Sequence, residues 1–167
     1  MTTSTSPEQP GLQVLIFVTA LGCGLAAGVF FAFSSFVMSA LNRLPAAQGI
    51  AAMQSMNITV VRPLFMIDLF GTALITLPLL VIGIRHRDER WGLLLIVGAL
   101  LYLVGTIVLT AVYHVPRNNA LDTLDPTSPD AAEQWRDFFV GWTRWNHVRT
   151  LSSLGAAASF MAALLRS

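Results

Sequence analysis

The chain has 167 residues, room for one compact unit, and 54% of them are hydrophobic against 11% charged, with a mean hydropathy of +0.66. Soluble domains carry roughly 25% charged residues, so this composition excludes an ordinary water-facing surface. All ten basic residues are arginine and the formal net charge is +1, which excludes a nucleic-acid binder, since phosphate neutralisation needs a basic face. Cys23 stands alone inside an apolar run and offers neither a disulfide framework nor a cluster ligand set.

Residues 1–11 carry Glu8 and no basic residue, so they read as a disordered tail and not as the positive n-region of a cleaved signal. Residues 12–167 then read as a single transmembrane domain with four spans, each near the roughly 20 apolar residues that a helix needs to cross hydrocarbon. The first span runs from Leu12 to Leu41 without a charge. It contains Gly24 and Gly28, a GxxxG pair suited to close packing inside the chain or, as the alternative, to association with a second copy. Residues 42–58 place Ile50, Met53 and Met56 at helical spacing, which predicts a short interfacial helix. The second span, Pro63 to Ile84, is interrupted by Asp68, and the arginine-rich stretch RHRDER over 85–90 forms a tight hairpin. The third span, Trp91 to Tyr113, is uncharged, and Pro116 is expected to stop its helix with the preceding residue extended. Residues 114–146 make the longer extramembrane segment, with a helix start near Ser128 or Asp130, and the fourth span covers His147 to Leu165. The fold class is therefore all-α, an integral membrane four-helix bundle. Arg85, Arg87 and Arg90 in so short a loop put that hairpin, and with it both termini, on the cytoplasmic side, in the inner membrane for a bacterial chain.

Polar residues gather at the end of the bundle opposite the hairpin. A carboxylate at membrane depth is expensive and generally faces the bundle interior, so Asp68 is a candidate either for a structural pair with Arg149 or for a site. The segment WTRWNHVRT over 142–150 carries Trp145, Asn146, His147 and Arg149. Anchoring at the headgroup level accounts for its tryptophans and Arg144, but it leaves Asn146 and His147 without a purpose. On a regular helix His147 points nearly opposite Arg149, so both line one pocket only where the helix starts irregularly. YHVPRNNAL over 113–121 adds His114 and Asn118, and Asn57 and Arg62 precede the second span on the same side. His114, His147 and Asp68 would supply the ligand types of a facial triad, yet their spacing matches no metal motif, and no metal is assigned. Phe30, Phe31, Phe33 and Phe36 serve as packing or lipid-facing surface, or alternatively as the floor of a pocket for a flat ligand.

GVFFAFSSFVMSALNRLPAAQGIAAMQSMN, LFGTAL, VPRNNAL and WTRWNHVRT together resemble the anthrone oxygenase-like family of small four-span membrane proteins, long catalogued as a domain of unknown function. The resemblance spans about residues 12–165. It implies a membrane-embedded, cofactor-free monooxygenase that oxidises a flat phenolic, polyketide-like substrate with molecular oxygen. Asn118 matches the asparagine of the VPxN element, and Asn146, His147 and Arg149 match the polar end of WNHVRT. His114 departs from the family, where asparagine is common. The implied scheme makes His147 the base with Asp68 second and places Arg149 or Arg62 against the developing anion. Asn118 and Asn146 orient the substrate, and His114, Trp145 and Asn57 line its site. A non-catalytic lipid- or quinone-binding membrane protein, or an accessory subunit, is the alternative.

Overall fold

The computed structural model describes residues 10–166, and among these residues helix is the only regular secondary structure. Residues 1–9 of the expected tail lie outside the described residues, and the first helix begins at Pro10, where proline's fixed φ suits a first turn. Five helices follow in order: α1 Pro10–Leu41, α2 Ala46–Val60, α3 Pro63–Arg85, α4 Arg90–Asp122 and α5 Ala131–Leu164. Of these, α1, α3 and α4 are long and apolar enough to cross a membrane. The hairpin between α3 and α4 is as tight as RHRDER predicts, with the His86 and Trp91 rings 4.7 Å apart.

Two clusters hold the bundle together. At the hairpin end Ile16, Cys23, Leu79, Leu95, Tyr102 and Phe160 are buried where α5 packs along α1 and α4 and α3 packs on α4. At the other end Met38, Ile50, Met53, Trp135, Phe138 and Trp142 form a second core. The apolar face of α2 thus lies against the first half of α5, so burial by protein accounts for the Ile50 and Met53 periodicity. Thr106 and Ser153 share a 2.7 Å hydrogen bond between α4 and α5, the kind of polar contact that ties helices where water is absent.

Close helix approach is made at other positions than the GxxxG pair. A Cβ at Gly24 or Gly28 would meet nothing within 4 Å, whereas one at Gly22 would strike Thr72 and one at Gly105 would strike Ser152. Intramolecular packing therefore does not explain Gly24 and Gly28.

The helices are irregular where they approach the polar end. π-helical turns occupy Phe33–Val37 in α1, Ile67–Gly71 in α3, and Leu103–Val108 and Thr110–His114 in α4. They overturn the expected helix stop at Pro116: His114 and Val115 are both helical and α4 runs on through Val115–Asp122. Proline breaks an α-helix because it lacks an N–H and its ring meets the carbonyl four residues back. A π turn pairs a carbonyl with the N–H five residues on, as the Val115 N–H does with the Thr110 carbonyl, so the helix is already widened out of α-helical register where the proline enters. α5 is likewise longer than the expected fourth span: it begins just after Asp130 and is unbroken for 34 residues. Ahead of it, Thr127 donates through its backbone N–H and its hydroxyl to Asp125 at 2.8 Å, which holds that carboxyl below the usual range.

Candidate functional site

A cavity of about 450 Å³ opens at the polar end of the bundle, between α1, α2, α3, α4 and the middle of α5. That volume suits a drug-sized ligand. Most of its wall is apolar: Phe30 and Phe33 from α1, Met53 and Met56 from α2, Phe65 and Leu69 from α3, and Trp142 from α5. Phe31 and Phe36, by contrast, are exposed, so only two of the four phenylalanines face inward. Three of the π turns border this space, since Phe33, Leu69, Phe70, Thr110 and His114 belong both to them and to the wall.

The chemistry of the wall centres on Arg149, which is 6% exposed. Its Nη2 donates to Asn146 Oδ1 at 2.6 Å and its Nη1 to Thr110 Oγ1 at 3.3 Å, while Nε has no hydrogen-bond partner. The guanidinium lies 4.3 Å from the Phe30 ring centre and 5.2 Å from that of Trp142. Among the described residues no carboxylate pairs with it. The Asp68–Arg149 pair weighed from the sequence is not formed. Asp68 is half-buried and does not line the cavity, and among the described residues its Oδ2 has no hydrogen-bond partner. A buried cation held by neutral groups in an apolar surrounding is costly unless an anion joins it.

Asn146 is fully buried and sets the direction of this arginine. Its amide donates to the Phe30 carbonyl at 2.8 Å and to Ser34 Oγ at 2.7 Å, so its Oδ1 is fixed toward Arg149. Ser34 sits in the first π turn, which links that irregularity to the placement of the charge.

Along α4 the polar wall is a stripe. Thr110, His114, Asn118 and Asp122 recur every fourth residue and all four line the cavity. His114 is 1% exposed, its ring edge-on to Trp142 at 5.3 Å. Its Nδ1 lies 3.5 Å from the Leu109 carbonyl and its Nε2 has no hydrogen-bond partner. Asn118 Oδ1 accepts from Trp142 Nε1 at 2.9 Å, and Asp122 Oδ1 accepts from Asn57 Nδ2 at 2.8 Å.

The structure therefore brings together Arg149, His114, Asn118 and Asn57 at the wall, with Asn146 behind them. It does not bring in the others. His147 is exposed because α5 is a regular helix through this stretch, which puts it on the face away from Arg149. Arg62 is exposed at the α2–α3 joint, and Trp145 is 40% exposed, against Tyr113 at 5.3 Å. Among the described residues no three histidine, cysteine or acidic side chains come together as metal ligands. The facial set of His114, His147 and Asp68 is accordingly not assembled. Thr110, Asp122 and Trp142 were not singled out for the site from the sequence, although the four-residue interval from Thr110 to Asp122 was there to read.

A profile of the family described as anthrone oxygenase matches residues 62–159, more than half of the chain. The chain belongs to the anthrone oxygenase family. No curated protein and no solved structure matches it. The anthrone oxygenase match takes in His114, Asn118, Asn146 and Arg149, and begins after the α1 and α2 residues that close the cavity.

Proposed function

We propose that this member of the anthrone oxygenase family is a membrane-embedded oxygenase that converts the methylene of a flat phenolic substrate to a ketone with molecular oxygen. The observation that carries the reading is Arg149, a buried guanidinium at the wall of an apolar cavity with no carboxylate partner among the described residues. In the membrane arrangement that fits this role, the apolar second half of α5 is a fourth span and α2 lies at the headgroup level. The arginine-rich hairpin and both termini face the cytoplasm.

The chemistry follows from the residues at the wall. An anthrone methylene lies between two rings and opposite a carbonyl, so loss of one proton spreads negative charge onto the carbonyl oxygen. In the tautomer whose Nδ1–H faces the Leu109 carbonyl 3.5 Å away, His114 has Nε2 as the acceptor for that proton. Arg149 receives the developing oxyanion, and the Asn146 hydrogen bond fixes it in place before the reaction begins. The electron-rich carbon reduces oxygen and a C–O bond forms. The His114 proton completes a hydroperoxide. Loss of the second methylene proton then breaks the O–O bond and releases water. The sum is one CH₂ and one O₂ giving one C=O and one H₂O, with no electron left over.

The test compares two histidines. With dithranol, an anthrone whose two hydroxyls flank the carbonyl, His114→Ala is expected to lower oxygen uptake about a hundredfold or more above the spontaneous background. His147→Ala is expected to keep wild-type uptake, because its side chain lies outside the cavity. The opposite pattern would return the role of base to His147 and remove His114 from the scheme.

A further inference from the structure

The cavity meets the outside of the bundle along two rims of different character. One is polar: Asn119 and Asp122 are exposed at the end of α4. The other is apolar. Ile58 and Val61, at the end of α2 and its joint with α3, Phe70 on α3 and Val115 on α4 belong both to the cavity wall and to the outer surface, at 44% to 76% exposure. This second opening exists because α3 and α4 diverge. They pack along their hairpin halves, Thr72–Arg85 against Arg90–Tyr102, and the Tyr102 hydroxyl donates to the Leu69 carbonyl at 3.1 Å. Further toward the polar end α3 leans on α1, where its π turn Ile67–Gly71 packs and where the Phe65 and Phe30 rings meet edge-on at 6.2 Å. At that end α4 turns to α5 instead, with His114 against Trp142 at 5.3 Å.

The gap lies at a depth where lipid, not water, surrounds the helices. Phe70 stands fifteen residues before Arg85, or roughly 22 Å at about 1.5 Å per residue. Measured from the arginine-rich hairpin, that is inside a hydrocarbon layer roughly 30 Å thick. Val115, twenty-five residues beyond Arg90, falls near the opposite headgroup level. A polycyclic aromatic ligand is far more concentrated in this layer than in water, because removal of its apolar surface from water is favourable. We infer that the cavity is filled sideways from the bilayer, between α3 and α4 and past Phe70 and Val115, and that the rim at Asn119 and Asp122 is not the route. Phe70 and Val115 then set the rate of exchange without contact with the reacting atoms. The inference goes beyond the oxygenase reading: it requires only an apolar ligand and holds whether or not oxygen is consumed.

The experiment follows binding and release in time, with the full chain reconstituted in phosphatidylcholine vesicles and dithranol added without oxygen. Tryptophan fluorescence reports occupancy, since Trp142 forms part of the wall. Val115→Phe narrows the side opening and is expected to slow binding and release alike by about tenfold, the lower end of the range over which association rates differ among variants of one interface. Their ratio, the dissociation constant, is expected to stay at the wild-type value, which a misfolded or repacked cavity would not preserve. Phe70→Ala widens the opening and is expected to speed both rates. Asn119→Phe, on the polar rim, is expected to leave both unchanged. Slow exchange in Asn119→Phe with wild-type rates in Val115→Phe would move the entrance to the water-facing rim and overturn the inference. Wild-type rates in all three variants would overturn it as well.

Discussion

Arg149→Met is expected to lower anthrone-dependent oxygen uptake roughly a hundred- to thousandfold, the usual loss when one preorganised group that meets a developing oxyanion is removed. The same substitution is expected to leave the fold intact and to raise its resistance to heat. Arg149 is buried and, among the described residues, has no carboxylate partner and no hydrogen-bond partner for Nε. Its charge therefore brings the cost of desolvation without a compensating ion pair, and replacing such a group by an apolar side chain of similar length is often neutral or stabilising. Methionine keeps apolar contact with the Phe30 and Trp142 rings and removes the charge together with its donors to Asn146 Oδ1 and Thr110 Oγ1, so the gain in stability is what remains after the unpaired Asn146 oxygen is counted. Oxygen uptake and thermal unfolding measured on the same preparations check the pair of outcomes. Lost activity with a higher melting temperature marks a residue kept for function at the expense of stability. Unchanged activity, or equal loss of activity and fold, would speak against the assigned role.

Asn146→Asp is expected to be the second most damaging change, and it works by addition. The Asn146 Oδ1 already lies 2.6 Å from Arg149 Nη2. An aspartate there gives the guanidinium the carboxylate that the wild-type site withholds. The ion pair satisfies the arginine and cancels its field in the cavity. It also removes the amide donor to the Phe30 carbonyl, at a cost of about 1–3 kcal/mol for the unpaired buried acceptor. A neighbouring cation lowers a phenol's pKa, so neutralising it must raise the pH at which bound substrate ionises, by about one to two pH units. Titrating the visible absorbance of bound dithranol in both proteins reads this shift directly. A purely structural role for Asn146 would leave that titration where it is.

Much of this arrangement was legible in the sequence, and the parts that were not depend on how the helices pack against one another. The uninterrupted apolar runs gave α1, α3 and α4, because length and lack of charge are what a bilayer selects. RHRDER gave the hairpin. WTRWNHVRT pointed to Asn146 and Arg149, because an asparagine and an arginine beyond what anchoring requires are costly in such a place. The same segment misled on His147, where a regular helix turned the side chain outward. Pro116 misled for a deeper reason. The π turns ahead of it depend on how α4 packs around the cavity, and no local pattern in residues 103–114 announces them. Once α4 was taken to end near residue 116, the stripe from Thr110 to Asp122 could not be seen as one face. Gly24 and Gly28 show the converse. The motif was plain, but the chain makes its close contacts at Gly22 and Gly105.

The most direct test of the central claim is oxygen uptake by the detergent-purified full chain supplied with dithranol, set beside an identical sample without protein. The account predicts uptake well above the spontaneous rate, with one oxygen molecule consumed for each anthrone converted to the anthraquinone. Uptake no faster than the protein-free sample, with dithranol shown to be bound in the cavity, would contradict it and leave a membrane protein that binds such molecules without oxidising them.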